Sequence, residues 1–287
     1  MRMANDQIKP QISPPPPLPG EAAPDRFSFI SGAGDTSDGG RAVFPIVRSS
    51  DDGSIDLLGT GFFIANNGIF ATARHVLDAP FDRHTGKQLF PVALIHFHEE
   101  GRYMMRPILR YAPHGSADVA VGVAAPMTRD SDGAPLLNKI LTLNTQPVSV
   151  GSHVMTYAYP RYKSTMTEQG QIFNVSGNCY DGKIVEHLPF GRDRVLLPGP
   201  CYRTNISIHH GASGGPVFSK GGRVFALNST GFDGTDDSYV SSIGAILDLS
   251  VDDVAMGIGQ APRSVSIREM AEAGFVKVDT QPPAHLL

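Results

Sequence analysis

From Ala42 to about Ser250 the chain is a succession of short apolar runs, each closed by glycine, proline, asparagine or aspartate. Runs of this length, rich in valine, isoleucine and phenylalanine and bounded by turn residues, read as strands. AVFPIVR opens the series at Ala42. IDLLGTGFFIA and IFATA flank Asn67-Gly68, a dipeptide suited to the tight turn of a β-hairpin. LFPVALIHFH, GRYMMRPILRYAP and DVAVGVA follow as three more strands. A less regular stretch, about Pro126 to Pro147, reads as a connector. Beyond it come VSVGSHVMTYAYP, GQIFNVSG, RVLLP, YRTNISI, GPVF, GRVFALNST and YVSSIGAILDL. Only SVSIREMAEAG, after Arg263, has helical spacing. The 31 glycines and 23 prolines among 287 residues exceed the usual shares of about 7% and 5%, which favours many turns. The expected fold is all-β, two packed barrels on either side of the connector and one short C-terminal helix.

Three regions follow from the texture. Residues 1–40 form a leader, with seven prolines before residue 25, the run Pro14 to Pro17, and then SGAGDTSDGG. Proline-rich and glycine-rich segments bury too little to fold alone, so a disordered tail is expected. The sharper reading is a docking peptide for a regulatory partner. Residues 41–250 form the main domain, with barrels at about 41–125 and 148–250. Residues 251–287 form a C-terminal segment with the helix and a tail.

Charge and cysteine content narrow the functions. A formal net charge of −4 argues against a nucleic-acid binder working by broad charge neutralisation. No apolar run is long enough for a membrane-spanning helix. The leader has no apolar core of a secretory signal, so a cytoplasmic location is expected, or a secreted or periplasmic one if the chain is a mature form. Cys179 and Cys201 are the only cysteines. They exclude a disulfide-rich scaffold and read better as reduced thiols than as one bridge.

Three short segments carry chemistry. Thr72-Ala73-Arg74-His75-Val76 follows an apolar strand, Ala117-Asp118-Val119-Ala120 opens one, and Gly211-Ala212-Ser213-Gly214-Gly215-Pro216 is a glycine-rich turn holding a serine. A serine hydroxyl needs an adjacent base to become a nucleophile. Histidine can take that proton and return it to a leaving group. A buried carboxylate fixes the imidazole tautomer. Glycines around the serine allow a sharp turn that aims two N–H groups at one point, an oxyanion hole. The order His75, Asp118, Ser213 is one of several known for such triads. No segment is decisive alone; all three together in a β-rich chain form a strong signal.

On these segments the sequence resembles the chymotrypsin-like (trypsin-type) serine proteases, and most of all the compact bacterial branch related to Deg-type proteases, without a PDZ domain. GTGFFI before the histidine and GSHVMTYAYP at the start of the second half also look like strands of that family. The resemblance covers about residues 42–250. It implies two six-stranded barrels with the active site in the cleft between them. His75 would be the general base, Asp118 its orienting acid and Ser213 the nucleophile, with the N–H groups of Gly211 and Ser213 as the oxyanion hole. It implies a serine endopeptidase acting on a protein or peptide substrate, with no cofactor and no metal. The alternative is a gated or inactive module of the same fold that binds an extended peptide or a partner.

Two departures matter. Ala212 occupies the place of the aspartate that pairs with a new N-terminus in trypsin, and no Ile-Val-Gly-Gly start is present, so that zymogen switch cannot operate. The shortage of cysteines removes the disulfides of the animal enzymes and suits a bacterial member. By the same resemblance Ser207 would lie at the base of the S1 pocket and Ile208 would narrow it, pointing to a small or medium uncharged P1 residue. Ser229, Thr230 and Gly231 would bind substrate backbone as an added antiparallel strand.

Other residues read more plainly. His96 and His98, with Glu99 and Glu100, suit a solvated strand face better than a metal site. His209 and His210 are divided evenly between the pocket entrance and exposed loop. Cys201 lacks the glycine-rich turn a nucleophile would need. The sequons at Asn174, Asn205 and Asn228 are read as incidental, and Met104-Met105 as filling.

Overall fold

The computed structural model describes residues 41–279, apart from 51–52, 83, 98–102, 129–132, 169, 232–236 and 257–259, and three short strands nearer the amino end. Those are β1 (Gln11–Ser13), β2 (Phe29–Ile30) and β3 (Thr36–Ser37). The rest of the leader, including its proline run, lies outside the described residues, as do His98, Glu99 and Glu100.

The first barrel consists of β4 (Val43–Ser49), β5 (Ile55–Phe63), β6 (Ile69–Thr72), β7 (Val92–Phe97), β8 (Tyr103–Pro113) and β9 (Ala120–Ala124). It closes in the order β4-β5-β6-β9-β8-β7 with every pairing antiparallel. Closure removes the free sheet edges. The Asn67-Gly68 turn joins β5 to β6 as the dipeptide suggested, and Gly68 takes a φ of +98° that other residues avoid. Phe44, Phe63 and Phe70 fill the interior, with ring centroids 4.5 and 5.3 Å apart. A five-residue helix, α1 (Arg74–Asp78), leaves β6 at once.

Past the connector come β10 (Leu143–Asn144), β11 (His153–Thr167), β12 (Gly170–Leu188), β13 (Cys201–Thr204), β14 (Pro216–Ser219), β15 (Val224–Gly231) and β16 (Ser238–Ser242). The second barrel runs β14-β11-β12-β13-β16-β15 and closes through the β14–β15 pair. Val154, Ile184, Tyr202, Val217, Phe225 and Val240 are packed inside it. β11 and β12 extend as a long hairpin to Thr167 and Gly170, with a register shift between Ala158 and Arg161. β1 pairs in parallel with β12 along its outer length, Gln11 opposite Ile172.

The chain then forms β17 (Ser250–Val254), β18 (Arg263–Ser266), α2 (Ile267–Glu272) and β19 (Val278–Asp279). The helix is shorter than its apolar spacing suggested, because Arg263–Ser266 pairs with β17. Ser266 caps it, its hydroxyl accepting the Glu269 N–H at 3.1 Å, the serine-to-glutamate spacing of a capping box. Val251, Ile267, Met270 and Val276 join the larger core. Among the described residues no helix is long and apolar enough to cross a membrane.

Two expectations are corrected, and one stretch left unassigned is placed. RVLLP is a loop, not a strand: Val195 and Leu196 lie outside every strand and are exposed. Its backbone donors go to the Asp193 carboxylate instead of a neighbouring strand. His96 is not on a solvated face. It is buried at 6% exposure, its Nδ1 is 3.2 Å from Nη1 of Arg106, and its ring packs against Phe63. Arg161–Thr167, unassigned from sequence, continues β11.

Cys179 and Cys201 are not joined in a disulfide. Burial pushes the Cys201 thiol up to about 11, so it holds little thiolate at neutral pH.

Candidate active site

The end of β6 and the start of α1 place His75 at the cleft, and the turn before β9 places Asp118 beneath it. One carboxylate holds both the backbone and the ring of the histidine. The His75 N–H donates to Asp118 Oδ1 at 3.1 Å, and His75 Nδ1 lies 2.9 Å from Oδ2 and 3.1 Å from Oδ1. The Ser229 hydroxyl donates to Oδ2 from the second barrel. Asp118 is 6% exposed. Burial alone would raise its pKa, but the donors from His75 and Ser229 outweigh it and hold the carboxyl below the ordinary aspartate range. With Nδ1 occupied, Nε2 is the ring nitrogen left for chemistry.

Ser213 sits in the turn between β13 and β14, and from Gly211 to Gly215 most backbone groups of that turn are tied down. Ala212 N–H donates to the His209 carbonyl, Gly214 N–H to Asn228 and Gly215 N–H to Ala212. The Gly211 carbonyl accepts from the Thr60 hydroxyl at 2.8 Å, and the Ser213 carbonyl accepts the Thr60 N–H at 2.8 Å. The Ala212 carbonyl accepts from Asn228 Nδ2 at 3.2 Å. Two amides remain. Among the described residues, the N–H groups of Gly211 and Ser213 donate to no protein acceptor.

Glycine is required at two places in this turn. Gly211 has a φ of +90°, and a Cβ there would stand 2.5 Å from Leu57 Cδ2 and 2.6 Å from the Tyr159 carbonyl. At Gly214, φ +84°, a Cβ would stand 2.1 Å from Thr72 Oγ1.

The Ser213 hydroxyl donates to the Ser229 carbonyl at 3.3 Å. Among the described residues no hydrogen bond joins it to His75. The two residues nevertheless line one cleft of about 620 Å³ with Asp118 and Ser229. Thr230, Gly231, Ile208, His209 and His210 also line it. Beyond Leu227, β15 pairs only with β16, so Ser229–Gly231 has one strand edge without a partner strand. Ser207 lies outside this lining, half-buried. A Cβ on Gly231 would stand 2.8 Å from the Ile208 carbonyl. Cys201 is buried within β13, paired opposite Ser241.

Sequence reasoning passed over several contributors. Thr60 reads as an ordinary strand residue, and Thr72 only as the start of the His75 segment. Ser229 reads only as part of a strand for substrate backbone, without the bond of its side chain to Asp118. Val195 and Leu196 line the cleft from the loop read as a strand. Among the described residues no group of three or more histidine, cysteine, aspartate and glutamate side chains could hold a metal.

Two closed barrels with this cleft define a two-barrel peptidase fold. The family is shown directly by a match of residues 59–227 to the trypsin-like peptidase domain; the chain belongs to that family. No curated protein matches the sequence. Among solved structures, the active form of the Rv3671c protease from M. tuberculosis superposes with a TM-score of 0.49 at 17% identity, over 72% of this chain and 78% of that one. The inactive form of that protease gives 0.47 at 18%, over 80% and 95%. Deg5 gives 0.49 at 16%, over 74% and 88%.

Proposed function

We propose that the protein is a serine endopeptidase that hydrolyses peptide bonds through an acyl-enzyme. The observation that carries this reading is the pair of unbonded amides at Gly211 and Ser213, in a five-residue stretch (Gly211–Gly215) whose other three amides are engaged, beside a His75 ring held by a buried carboxylate. In the mechanism, the Ser213 hydroxyl turns from the Ser229 carbonyl to His75 Nε2. As its proton passes to Nε2, Oγ bonds to the scissile carbonyl carbon. The negative oxygen that develops accepts from the N–H groups of Gly211 and Ser213. Asp118 stabilises the imidazolium without taking its proton. His75 then protonates the leaving amine as the C–N bond breaks. Water attacks the ester in the same way, giving its proton to His75, and the acid leaves as Ser213 is restored.

The substrate is an extended peptide laid along Ser229–Gly231 as an added strand. Ile208 and Gly231 approach closely and support a shallow S1 site for a small uncharged P1 residue. Fluorophosphonate labelling tests the reading: it should occur in the parent and vanish in Ser213→Ala and in His75→Ala. A folded parent that does not label would refute it.

A second reading has its own observation, the Ser213 hydroxyl resting on the Ser229 carbonyl instead of on His75. Here the site is gated, or the module binds peptide without cleaving it, and the Pro-rich leader recruits a regulatory partner. Removing residues 1–40 should then raise labelling; no change would sink the version in which the leader is the gate.

A further inference from the structure

The loop from Pro189 to Pro200, between β12 and β13, holds two large aliphatic side chains in water beside the catalytic residues. Val195 is 80% exposed and Leu196 64%, and both line the cleft. The loop that carries them is internally braced. The Asp193 carboxylate accepts the N–H groups of Val195 and Leu196 at 2.8 and 2.6 Å and pairs with Arg192 at 2.7 Å. The Arg192 guanidinium lies 4.7 Å over the Tyr239 ring, and the Arg192 backbone N–H donates to the Leu197 carbonyl at 2.8 Å. Leu197 is buried as the anchor. Gly199 packs so closely on Ala117, the neighbour of Asp118, that a Cβ would stand 2.7 Å from the alanine methyl. The exposure of Val195 and Leu196 is therefore a property of a fixed surface joined to the catalytic framework.

The occupant is set by what adjoins it. The unpaired edge of Ser229–Gly231 lines the same cleft, and a strand added there turns alternate side chains to opposite sides. The charged residues of the lining are engaged within the protein, Arg74 with Asp78 at 3.4 Å and Asp118 with His75 and Ser229, which leaves little demand for a charged guest. Apolar surface removed from water is the favourable term that remains.

We infer that Val195 and Leu196 form an apolar shelf for substrate side chains just upstream of the scissile bond. The preferred substrate is an extended peptide with a bulky aliphatic or aromatic residue in the few positions before a small P1 residue. This rests on the peptidase reading for its direction along the cleft, and it adds the class of peptide taken.

The test uses the full chain carrying Ser213→Ala, with dye-labelled peptides read by fluorescence anisotropy. The peptides share one sequence with alanine at P1 and differ only in leucine or phenylalanine against serine or glutamate upstream. The apolar peptides should bind about ten- to a hundredfold more tightly. Replacing both residues, Val195→Ser and Leu196→Ser, should erase that difference, and since both side chains are exposed the melting temperature reports whether the fold is intact. Equal affinity for the two kinds of peptide, no binding of either, or an undiminished preference in the folded double variant would each overturn the shelf. Labelling of the parent by fluorophosphonate is read separately. Labelling without peptide preference removes the shelf and keeps the peptidase. Preference without labelling keeps the shelf as a peptide-binding surface and removes the peptidase.

Discussion

Thr60→Val replaces one hydroxyl by a methyl in a fully buried side chain and thereby tests how the turn around Ser213 is held. That hydroxyl donates to the Gly211 carbonyl at 2.8 Å and accepts the Tyr159 N–H at 3.0 Å. Valine fills the space and satisfies neither group. Each buried polar group left without a partner costs about 1–3 kcal/mol, so a stability loss of about 2–5 kcal/mol is expected from urea denaturation. The catalytic effect is separate. With its carbonyl released, Gly211 can rotate, and its N–H leaves the direction in which it can meet an oxyanion. Complete loss of one such donor costs about 10²–10³ in rate, and partial misalignment should lower kcat about tenfold or more. KM should move little, since Thr60 is not among the residues lining the cleft. Thr60→Ser keeps the oxygen and should restore both properties. The assay is kcat and KM on a peptide substrate, beside denaturation of the same samples. Parent-like kcat in a folded Thr60→Val would refute the positioning argument, and parent-like stability would refute the hydrogen-bond count beneath it.

Three other perturbations probe different parts of the molecule. Asp118→Asn removes the carboxylate that fixes the His75 tautomer and should lower kcat about 10⁴-fold. Because the folded Asp118 carboxyl lies below its ordinary range, it stabilises the fold above that range and loses this contribution as pH falls through the folded value. The variant should therefore show a flatter acid limb in a stability–pH curve, and an unchanged limb would count against the linkage. Cys201, buried with its thiol raised to about 11, should not react with a disulfide reagent until the chain is unfolded; prompt reaction at Cys201 in the native protein would contradict its placement. Arg106 is a fully buried cation bonded to the Ala125 carbonyl, Asn138 and His96, and desolvation lowers it to about 10. Arg106→Ala takes the donors away from the Ala125 carbonyl and Asn138 Oδ1 and opens a void, so a loss of about 3–5 kcal/mol is expected in urea, and a loss under about 1 kcal/mol would show that the barrel relaxes around it.

The parts legible in the sequence were those governed by local rules. Asn67-Gly68 fixes a hairpin because few residues take the φ of Gly68. The turn around Ser213 was legible because Gly211 and Gly214 have no room for a side chain. What escaped depended on neighbours far along the chain. RVLLP has strand composition, but Asp193 takes its amides and no strand is placed beside it. His96 sits among charged residues in sequence, yet its strand face turns toward Arg106, ten positions away. Thr60 looks like any β-branched strand residue. Its importance comes from Gly211, 151 residues on, a separation no periodicity reports.

The same separation explains why the site forms where it does. His75 and Asp118 belong to the first barrel, Ser213 and Ser229 to the second, so neither barrel alone holds the constellation. The bonds that align them are the bonds between barrels. Thr60 reaches the carbonyls of Gly211 and Ser213, and Ser229 reaches Asp118. The Tyr159 hydroxyl donates to the Val43 carbonyl. Gln171 closes a further pair with the backbone of Ile55, accepting at 2.7 Å and donating at 3.0 Å. All but the last two pass through residues of the candidate site or its immediate supports. A change that loosens the barrel interface should therefore disturb the Ser213–His75 relation before it unfolds either barrel. The Ser213 hydroxyl, which shares one cleft with His75, is the group in which such a change would first be visible.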